Sequence, residues 1–328
     1  MSFISRIIKA IQKKGLVGFF WAAIADIFGR LEGYLNNIRD RSTSYKFINK
    51  SKGQSNLIVV LAGYKSYLWP FTLESIYKYQ SMNTDVCIVS PGKYSKKLEQ
   101  LCENNGWSYL SVKRNSPGVA LNQAIRLHPN ADYIYKLDED ILISENFFEN
   151  LKMGYELTSK KSLLEPGFVA PVLNINGISY SIFLKEFGLE KEYQEKFGNI
   201  IKRCGDLPVH NNPETAWWIW KNTLPFQEKA KKLSENEFNY SVCSTRFSIG
   251  AILFRREFIE QVGGFKSAWH SGVLGVDEDE LCRDCTSHSR PIYMIHNTLA
   301  GHFSFYPQES YMKTKLSEMS LLDPKVFH

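Results

Sequence analysis

The chain has 328 residues and 44% hydrophobic content, enough for a large core, read here as one catalytic unit of two lobes plus an appendage. Its net charge of +6 lies wholly in residues 1 to 50, with nine Lys or Arg against Asp26, Glu32 and Asp40, while the other 278 residues balance at 31 basic and 31 acidic. A balanced body without basic patches threaded by aromatics argues against a nucleic-acid partner, and six scattered cysteines form no small disulfide framework and suit a reducing cytoplasm.

The first predicted elements are helical. Phe3, Ile4, Ile7, Ile8 and Ile11 share a face opposite Arg6, Lys9, Gln12, Lys13 and Lys14, and a second pattern runs through Phe20, Trp21, Ile24, Ile27, Phe28, Leu31, Leu35 and Ile38. The apolar run Leu16 to Ala25 is too short for a bilayer, which needs about 20 residues, and Asp26 closes it. No small-residue cleavage site of a signal peptide interrupts the pattern. A basic amphipathic segment with Phe and Trp suits an anionic membrane surface, which implies a cytoplasmic protein held at the inner face of the membrane. The structural alternative is a helical hairpin packed on the catalytic unit.

After a polar stretch from Asn49 to Ser55, strands alternate with helices. Leu57 to Ala62, Val86 to Val89, Tyr109 to Lys113 and Tyr133 to Leu137 read as strands, and Tyr67 to Gln80, Ser95 to Asn105 and Gly118 to Leu127 as helices. Such alternation predicts parallel pairing with right-handed crossovers, and ligands gather at the carboxyl ends of strands in such sheets. The fourth strand ends in Asp138-Glu139-Asp140. Burying ionised carboxylates is costly unless they pair or coordinate a cation, and hard cations such as Mg2+ or Mn2+ share one or two carboxylates with substrate phosphates. The bland alternative is an exposed acidic turn before a helix near Glu145.

The second half is less regular. Phe168 to Val172 and Phe247 to Phe254 read as strands, separated by a polar and aromatic region. Trp217, Trp218 and Trp220 there are either sugar-stacking rings or core, with core preferred for at least one. Cys282 and Cys285 stand in a C-x-x-C, but no second pair has zinc spacing, so core packing is the better reading.

In this order the pieces resemble the inverting family-two glycosyltransferases of GT-A fold, over roughly residues 56 to 305. LIVVLAGYKSYLWPFTLESIYKY looks like the nucleotide-binding start of that fold. SPGVALNQAI resembles its helix opening, with Gly118 and Asn122 at the matching positions, and Asp138-Glu139-Asp140 resembles its D-x-D. FSIGAILFRREFIEQVGGF looks like its acceptor-side strand and helix, ending in Gly263, Gly264 and Phe265. GVDEDELCRDC resembles its glutamate-aspartate motif, with Glu278 and Asp279 as the pair, and His302 in AGHFSF stands where many members place a metal- or diphosphate-contacting histidine.

The resemblance implies an α/β fold of GT-A type, a Rossmann-like, mostly parallel sheet flanked by helices. Beyond the basic amphipathic segment at 1-50, it implies a nucleotide-sugar-binding half at 51-165 and an acceptor-binding half with a C-terminal tail at 166-328. Donor contacts fall to Ala62, Gly63, Tyr64, Ser90, Asn122 and Asp138, and a Mn2+ or Mg2+ ion to Asp138, Asp140 and His302. Asp279 becomes the general base for an acceptor hydroxyl, with Asp277, Glu278 and Glu280 as neighbouring candidates. Trp269, His270 and Glu278 line the acceptor side, Trp269 and His270 within a lid from Lys266 to Leu274 that includes Gly272. The implied partners are a nucleotide-sugar donor, a UDP-sugar foremost, and a glycan or lipid-linked acceptor of surface polysaccharide or lipopolysaccharide synthesis. One departure is that Val89-Ser90-Pro91-Gly92 stands where many members carry a base-reading aspartate. The rival readings are a retaining transferase, a sugar nucleotidyltransferase, against which the absence of a glycine-rich basic phosphate loop from Leu61 to Tyr67 argues, and a non-catalytic carbohydrate-binding protein of the same fold.

Overall fold

The computed structural model describes residues 3–201, 207–270, 273 and 275–327. Two compact units separate, Met1–Ser44 and Tyr45–His328. The first is helix α1 (Phe3–Arg41), broken at Gly15, whose backbone (φ 69°, ψ 164°) leaves the helical region. Glycine enters that region without the steric penalty of a Cβ, and the two apolar patterns of the sequence meet there. Among the described residues no helix is long and apolar enough to cross a membrane.

The second unit is built on a ten-stranded sheet. Its first half contains β1 (Tyr45–Ile48), β2 (Asn56–Leu61), α2 (Trp69–Tyr79), β3 (Thr84–Pro91), α3 (Lys96–Asn105), β4 (Ser108–Val112), α4 (Pro117–Leu127), β5 (Tyr133–Asp138), β6 (Ile141–Ile143) and α5 (Phe147–Lys161). Then come β7 (Phe168–Leu173), α6 (Ser179–Glu186), α7 (Glu190–Phe197), α8 (Pro208–Asn211), α9 (Pro213–Thr223), α10 (Phe226–Ser234), β8 (Tyr240–Cys243), β9 (Ala251–Arg255) and α11 (Arg256–Gln261). The chain closes with α12 (Val276–Ser287), β10 (Ile292–His302), α13 (Tyr306–Thr314), α14 (Leu316–Leu322) and α15 (Pro324–Phe327).

The strand order is β1-β4-β3-β2-β5-β9-β7-β10-β6, with β8 also paired to β10. Strands β2, β3, β4, β5, β7 and β10 run in one direction, and β1, β6, β8 and β9 oppose them. The expected mostly parallel sheet with flanking helices is therefore what the chain forms. The central strands are apolar on both faces, as Leu57 to Val60 in β2 and Ala251 to Phe254 in β9 show by their complete burial, because helices cover both sides of a sheet built by crossovers.

One boundary differs from expectation. Tyr45 to Ile48 pair antiparallel with β4, in the register Tyr45↔Val112 to Ile48↔Tyr109, so they belong to the sheet and not to the N-terminal segment. Residues 45 to 328 cohere as one unit. The polar stretch after β1 is tied down by Asp85 of β3, whose carboxylate accepts from Ser51 Oγ (2.5 Å) and from the amides of Lys52 (2.8 Å), Gly53 (3.1 Å) and Gln54 (3.1 Å).

Candidate active site at the carboxyl ends of the strands

Strands β2, β5, β7 and β10 end on one edge of the sheet, bringing Ala62 to Lys65, Asp138 to Asp140, Asn174 with Ile175, and His302 to a common region. The three acids do different work. Glu139 is buried and structural, accepting from the amides of Gly63 (2.9 Å) and Tyr64 (2.8 Å) and from Trp69 Nε1 (2.6 Å). Hydrogen bonds to an ionised acceptor are the strong kind, so this carboxylate fixes the loop after β2. The acids do not form an exposed turn: the Asp140 side chain keeps 6% of its surface and Asp138 keeps 36%.

Each aspartate faces a lysine. Asp138 Oδ1 lies 2.7 Å from Nζ of Lys136, a buried lysine of β5 that also donates to the Ile249 carbonyl at 2.7 Å. Asp140 Oδ2 lies 2.5 Å from Nζ of Lys65, and Lys65 Nζ is 3.7 Å from Glu309 of α13. His302 Nε2 is 3.5 Å from the same Asp140 oxygen. Burial opposes charge on both aspartates. It raises the Asp138 carboxyl above the ordinary range despite Lys136, with Asp140 adding to the rise, whereas His302 and Lys65 overcome it at Asp140 and hold that carboxyl well below. For Lys65, burial works against the ammonium, yet Asp140 keeps its affinity for the proton above the usual lysine value.

His302 is held from behind. Its Nδ1 donates to the Ile175 carbonyl (2.7 Å), its amide donates to Asn174 Oδ1 (2.9 Å), and Trp220 Nε1 donates to the carbonyls of His302 (3.1 Å) and Phe303 (2.9 Å). Because Nδ1 donates to that backbone carbonyl, Nε2 is the ring nitrogen turned toward Asp140 and the one a metal ion could take in place of a proton, an arrangement typical of metal-binding histidines. The neighbouring Gly301 is required by packing, because a Cβ there would stand 2.6 Å from the Trp220 ring. Two carboxylates and an imidazole form a donor set that suits a divalent ion such as Mn2+, and Mg2+ less well. Among the described residues no three His, Cys, Asp or Glu side chains converge as a finished metal cage. Asp138, Asp140 and His302 are thus a partial set, of the kind that phosphate oxygens and water complete.

Several expected donor contacts are spent elsewhere. The Ala62 amide donates to Val89 O (2.8 Å) and those of Gly63 and Tyr64 to Glu139, so none of the three is free to bind a phosphate. Ser90 is fully buried and accepts from Tyr109 Oη at 3.3 Å, beneath the loop and not at its surface. Asn122 is a clamp: its Nδ2 donates to Phe265 O and its Oδ1 accepts from Phe265 N, both at 2.8 Å. A Cβ on Gly118 would sit 2.5 Å from the Lys266 carbonyl, which explains the glycine. The glycine-to-asparagine opening and the Gly-Gly-Phe ending are therefore two sides of one backbone contact. What the loop does offer is the Tyr64 ring, exposed and fixed through its hydroxyl to Pro91 O at 2.8 Å, and Lys65. Sequence reasoning missed Lys65 and Lys136, although their positions directly after the loop and two residues before Asp138 were available as signals.

At the start of α12 the acids diverge. Glu278 accepts from Arg246 Nε (2.6 Å) and from the Ile249 amide (3.2 Å), capping the approach to β9. Asp279 keeps 47% of its side-chain surface and pairs with Arg246 Nε at 2.8 Å. Asp277 is buried, and burial raises its carboxyl, with Lys136 opposing and Asp138 adding to the rise. Asp277 is thus in electrostatic contact with the Asp138–Lys136 pair. Trp269 and His270 are exposed, and the backbone before them is held by Arg114, whose Nη2 donates to Ala268 O (2.6 Å) and Trp269 O (2.9 Å). Gly272 and Leu274 of the expected lid lie outside the described residues.

The tryptophans of α9 are all buried, so core packing holds for Trp217 and Trp218 as well as Trp220. Cys282 and Cys285 are buried free thiols, the first accepting from the Phe247 amide. Cys204 lies outside the described residues.

No protein-family model matches the chain, and no curated protein matches it in sequence. Among solved structures it is similar to GalNAc-T7 with UDP, GalNAc and Mn2+, at 13% identity and a TM-score of 0.47, covering 77% of this chain and 44% of that one. It is also similar to the mannosyltransferase PcManGT from Pyrobaculum calidifontis in complex with GDP-Man and Mn2+, at 14% identity and a TM-score of 0.45, covering 88% of this chain and 69% of that one. The chain thus spans less than half the length of the first of these.

Proposed function

We propose that this chain is a GT-A glycosyltransferase that moves a sugar from a nucleotide-sugar donor to a hydroxyl of a glycan or glycolipid acceptor, with inversion. The observation that carries the reading is the 3.5 Å approach of His302 Nε2 to Asp140 Oδ2 at the strand ends, with Asp138 closing β5 two residues earlier, beside a loop locked by Glu139. The family-two resemblance of the motifs adds the reaction class.

Asp140 and His302, with Asp138, would hold Mn2+ or Mg2+. A bound ion would supply electrostatic stabilisation of the departing diphosphate. The exposed Tyr64 ring offers a face for the nucleotide base, which suits a chain lacking the base-reading aspartate after β3 and leaves UDP the first donor to try. In the transfer the acceptor oxygen bonds to the anomeric carbon as the bond to the diphosphate oxygen breaks, and the hydroxyl proton passes to a carboxylate of α12.

Asp279 is the accessible candidate for that base, paired with Arg246 Nε at 2.8 Å. A second reading assigns the proton to Asp277, favoured by its burial and its electrostatic link to Asp138. The test is nucleotide release from a panel of sugar nucleotides, with Mn2+ and with chelator, followed by Asp279→Asn, Asp277→Asn and Glu278→Gln. The variant lacking the base loses about 10²- to 10⁴-fold in turnover while nucleotide binding persists. No release from any donor, with or without acceptor glycans, would leave a carbohydrate-binding protein. Retention of anomeric configuration would reject inversion.

The N-terminal helix supports peripheral attachment to the inner face of an anionic cytoplasmic membrane, the setting of surface polysaccharide or lipopolysaccharide synthesis. Leu16, Val17, Phe20, Trp21, Ile27 and Phe28 are exposed on it, and its seven Lys or Arg against three acids give it four of the chain's six excess positive charges.

A further inference from the structure

We propose that Lys65 is a stand-in cation: its ammonium neutralises Asp140 in the donor-free protein and passes to the donor diphosphate when metal and donor bind, so that metal binding depends on donor binding. This rests on the glycosyltransferase reading above.

The two lysines of the site differ in how firmly they are held. Lys136 rises from the middle of β5, its side chain keeps 3% of its surface, and its second bond to Ile249 O pins it to Asp138. Lys65 comes from a loop, keeps 21% of its side-chain surface, and has Glu309 within 3.7 Å as an alternative partner. Its backbone need not move for the ammonium to swing, because Glu139 anchors the amides of Gly63 and Tyr64 just before it. One aspartate therefore has a fixed counter-ion and the other a mobile one.

Both Lys65 Nζ and His302 Nε2 address a single oxygen, Asp140 Oδ2, at 2.5 and 3.5 Å. A buried carboxylate without a cation is costly, so in the absence of donor the ammonium is worth keeping. A divalent ion on that oxygen would repel the ammonium, and arrival of the metal alone has to displace it with no new anion gained beyond Glu309, which it already neighbours. When the metal arrives with a diphosphate, the displaced ammonium gains new phosphate oxygens as partners. Coupling of this kind is reciprocal, each ligand strengthening the other by the same factor.

The experiment is titration of the full chain with Mn2+ alone, followed by electron paramagnetic resonance, then with Mn2+ in the presence of UDP or GDP, for wild type, Lys65→Met and Lys65→Arg. In the wild type, the nucleotide is expected to tighten Mn2+ binding by about tenfold or more, since a unit charge a few ångströms from a divalent ion is worth at least that at an effective dielectric of about 20. Lys65→Met should bind Mn2+ alone about tenfold tighter than wild type, bind nucleotide more weakly, and lose most of the mutual enhancement. Lys65→Arg should keep the coupling. If circular dichroism shows Lys65→Met unfolded, Lys65→Gln takes its place. A folded variant whose affinity for Mn2+ alone equals or falls below wild type overturns the exchange, while Mn2+-coupled nucleotide binding in the wild type would leave the glycosyltransferase reading standing. Nucleotide binding that is unchanged by chelator removes the metal and the exchange together. No nucleotide binding by the wild type sinks the functional reading itself.

Discussion

Replacing Glu139 by Gln tests whether the middle acid of Asp138-Glu139-Asp140 organises the donor loop and leaves the metal to its neighbours. The carboxylate accepts three hydrogen bonds, one at Oε1 from Tyr64 N and two at Oε2 from Gly63 N and Trp69 Nε1. A glutamine has one accepting oxygen, and the better orientation turns it to Gly63 and Trp69 and sets its amide against the Tyr64 N–H. The variant thus loses one charge-assisted bond outright and the charge assistance of two others. With bonds to charged groups worth about 1.5–3 kcal/mol each, the expected destabilisation is about 2–4 kcal/mol. Urea unfolding followed by tryptophan fluorescence measures it. Calorimetry with UDP and GDP should show nucleotide affinity falling about tenfold, since the loop that carries Tyr64 and Lys65 is no longer held, while Mn2+ binding without nucleotide stays within about twofold. A stability change under about 0.5 kcal/mol would mean that the three bonds do not form, and loss of Mn2+ binding would make Glu139 a ligand.

Further outcomes follow from other contacts. Gly301→Ala should cost about 1–3 kcal/mol by overpacking against Trp220 and weaken metal-coupled nucleotide binding through His302, measured by thermal unfolding and calorimetry. Asp85 is buried, which alone would raise its carboxyl, but the bonds from Ser51, Lys52 and Gln54 lower it below the ordinary value. Its stabilisation is therefore present above the unfolded aspartate value of about 3.9 and lost as pH falls through the lower folded value. Asp85→Asn should be less stable than wild type at neutral pH, with the gap narrowing below about pH 4 in denaturant titrations. Removal of residues 1 to 44 should leave nucleotide binding intact and abolish sedimentation with anionic liposomes, and an unfolded remainder would show that the helix is part of the body's core.

How much of this was legible in the sequence depended on how local the signal was. The strands and helices from Leu57 to Leu137 fell within a few residues of expectation because each carries its own period and its own turn residues. β1 was hidden, since four residues with a basic neighbour look like a tail until β4 is present to pair with them. Phe247 to Ile249 read as strand but lie outside β9, where the chain instead meets Cys282 and Glu278. At the site, acids at a strand end pointed to Asp138 and Asp140, and the family resemblance to His302. The fate of individual oxygens and amides did not follow, because it depends on which distant donor reaches them first. Asn122 and Ser90 sit at suggestive positions yet serve Phe265 and Tyr109, and no spacing rule separates a clamp from a ligand contact.

The pairing of β6 with β10, in which His302 lies across from Ile141, sets a schedule for synthesis. Asp140 and its histidine are 162 positions apart in the chain, so at about 5–20 residues per second the imidazole leaves the ribosome on the order of ten seconds after the carboxylate. Throughout that interval the acids and both lysines are already made, and the edge of β5 awaits β9. A nascent chain stalled before β10 is then expected to bury neither Asp140 nor a divalent ion and to spare the cell's sugar nucleotides; stalled complexes ending at residue 290 that consumed donor would show otherwise. Competence arrives only with β10, after every other element of the site has been made.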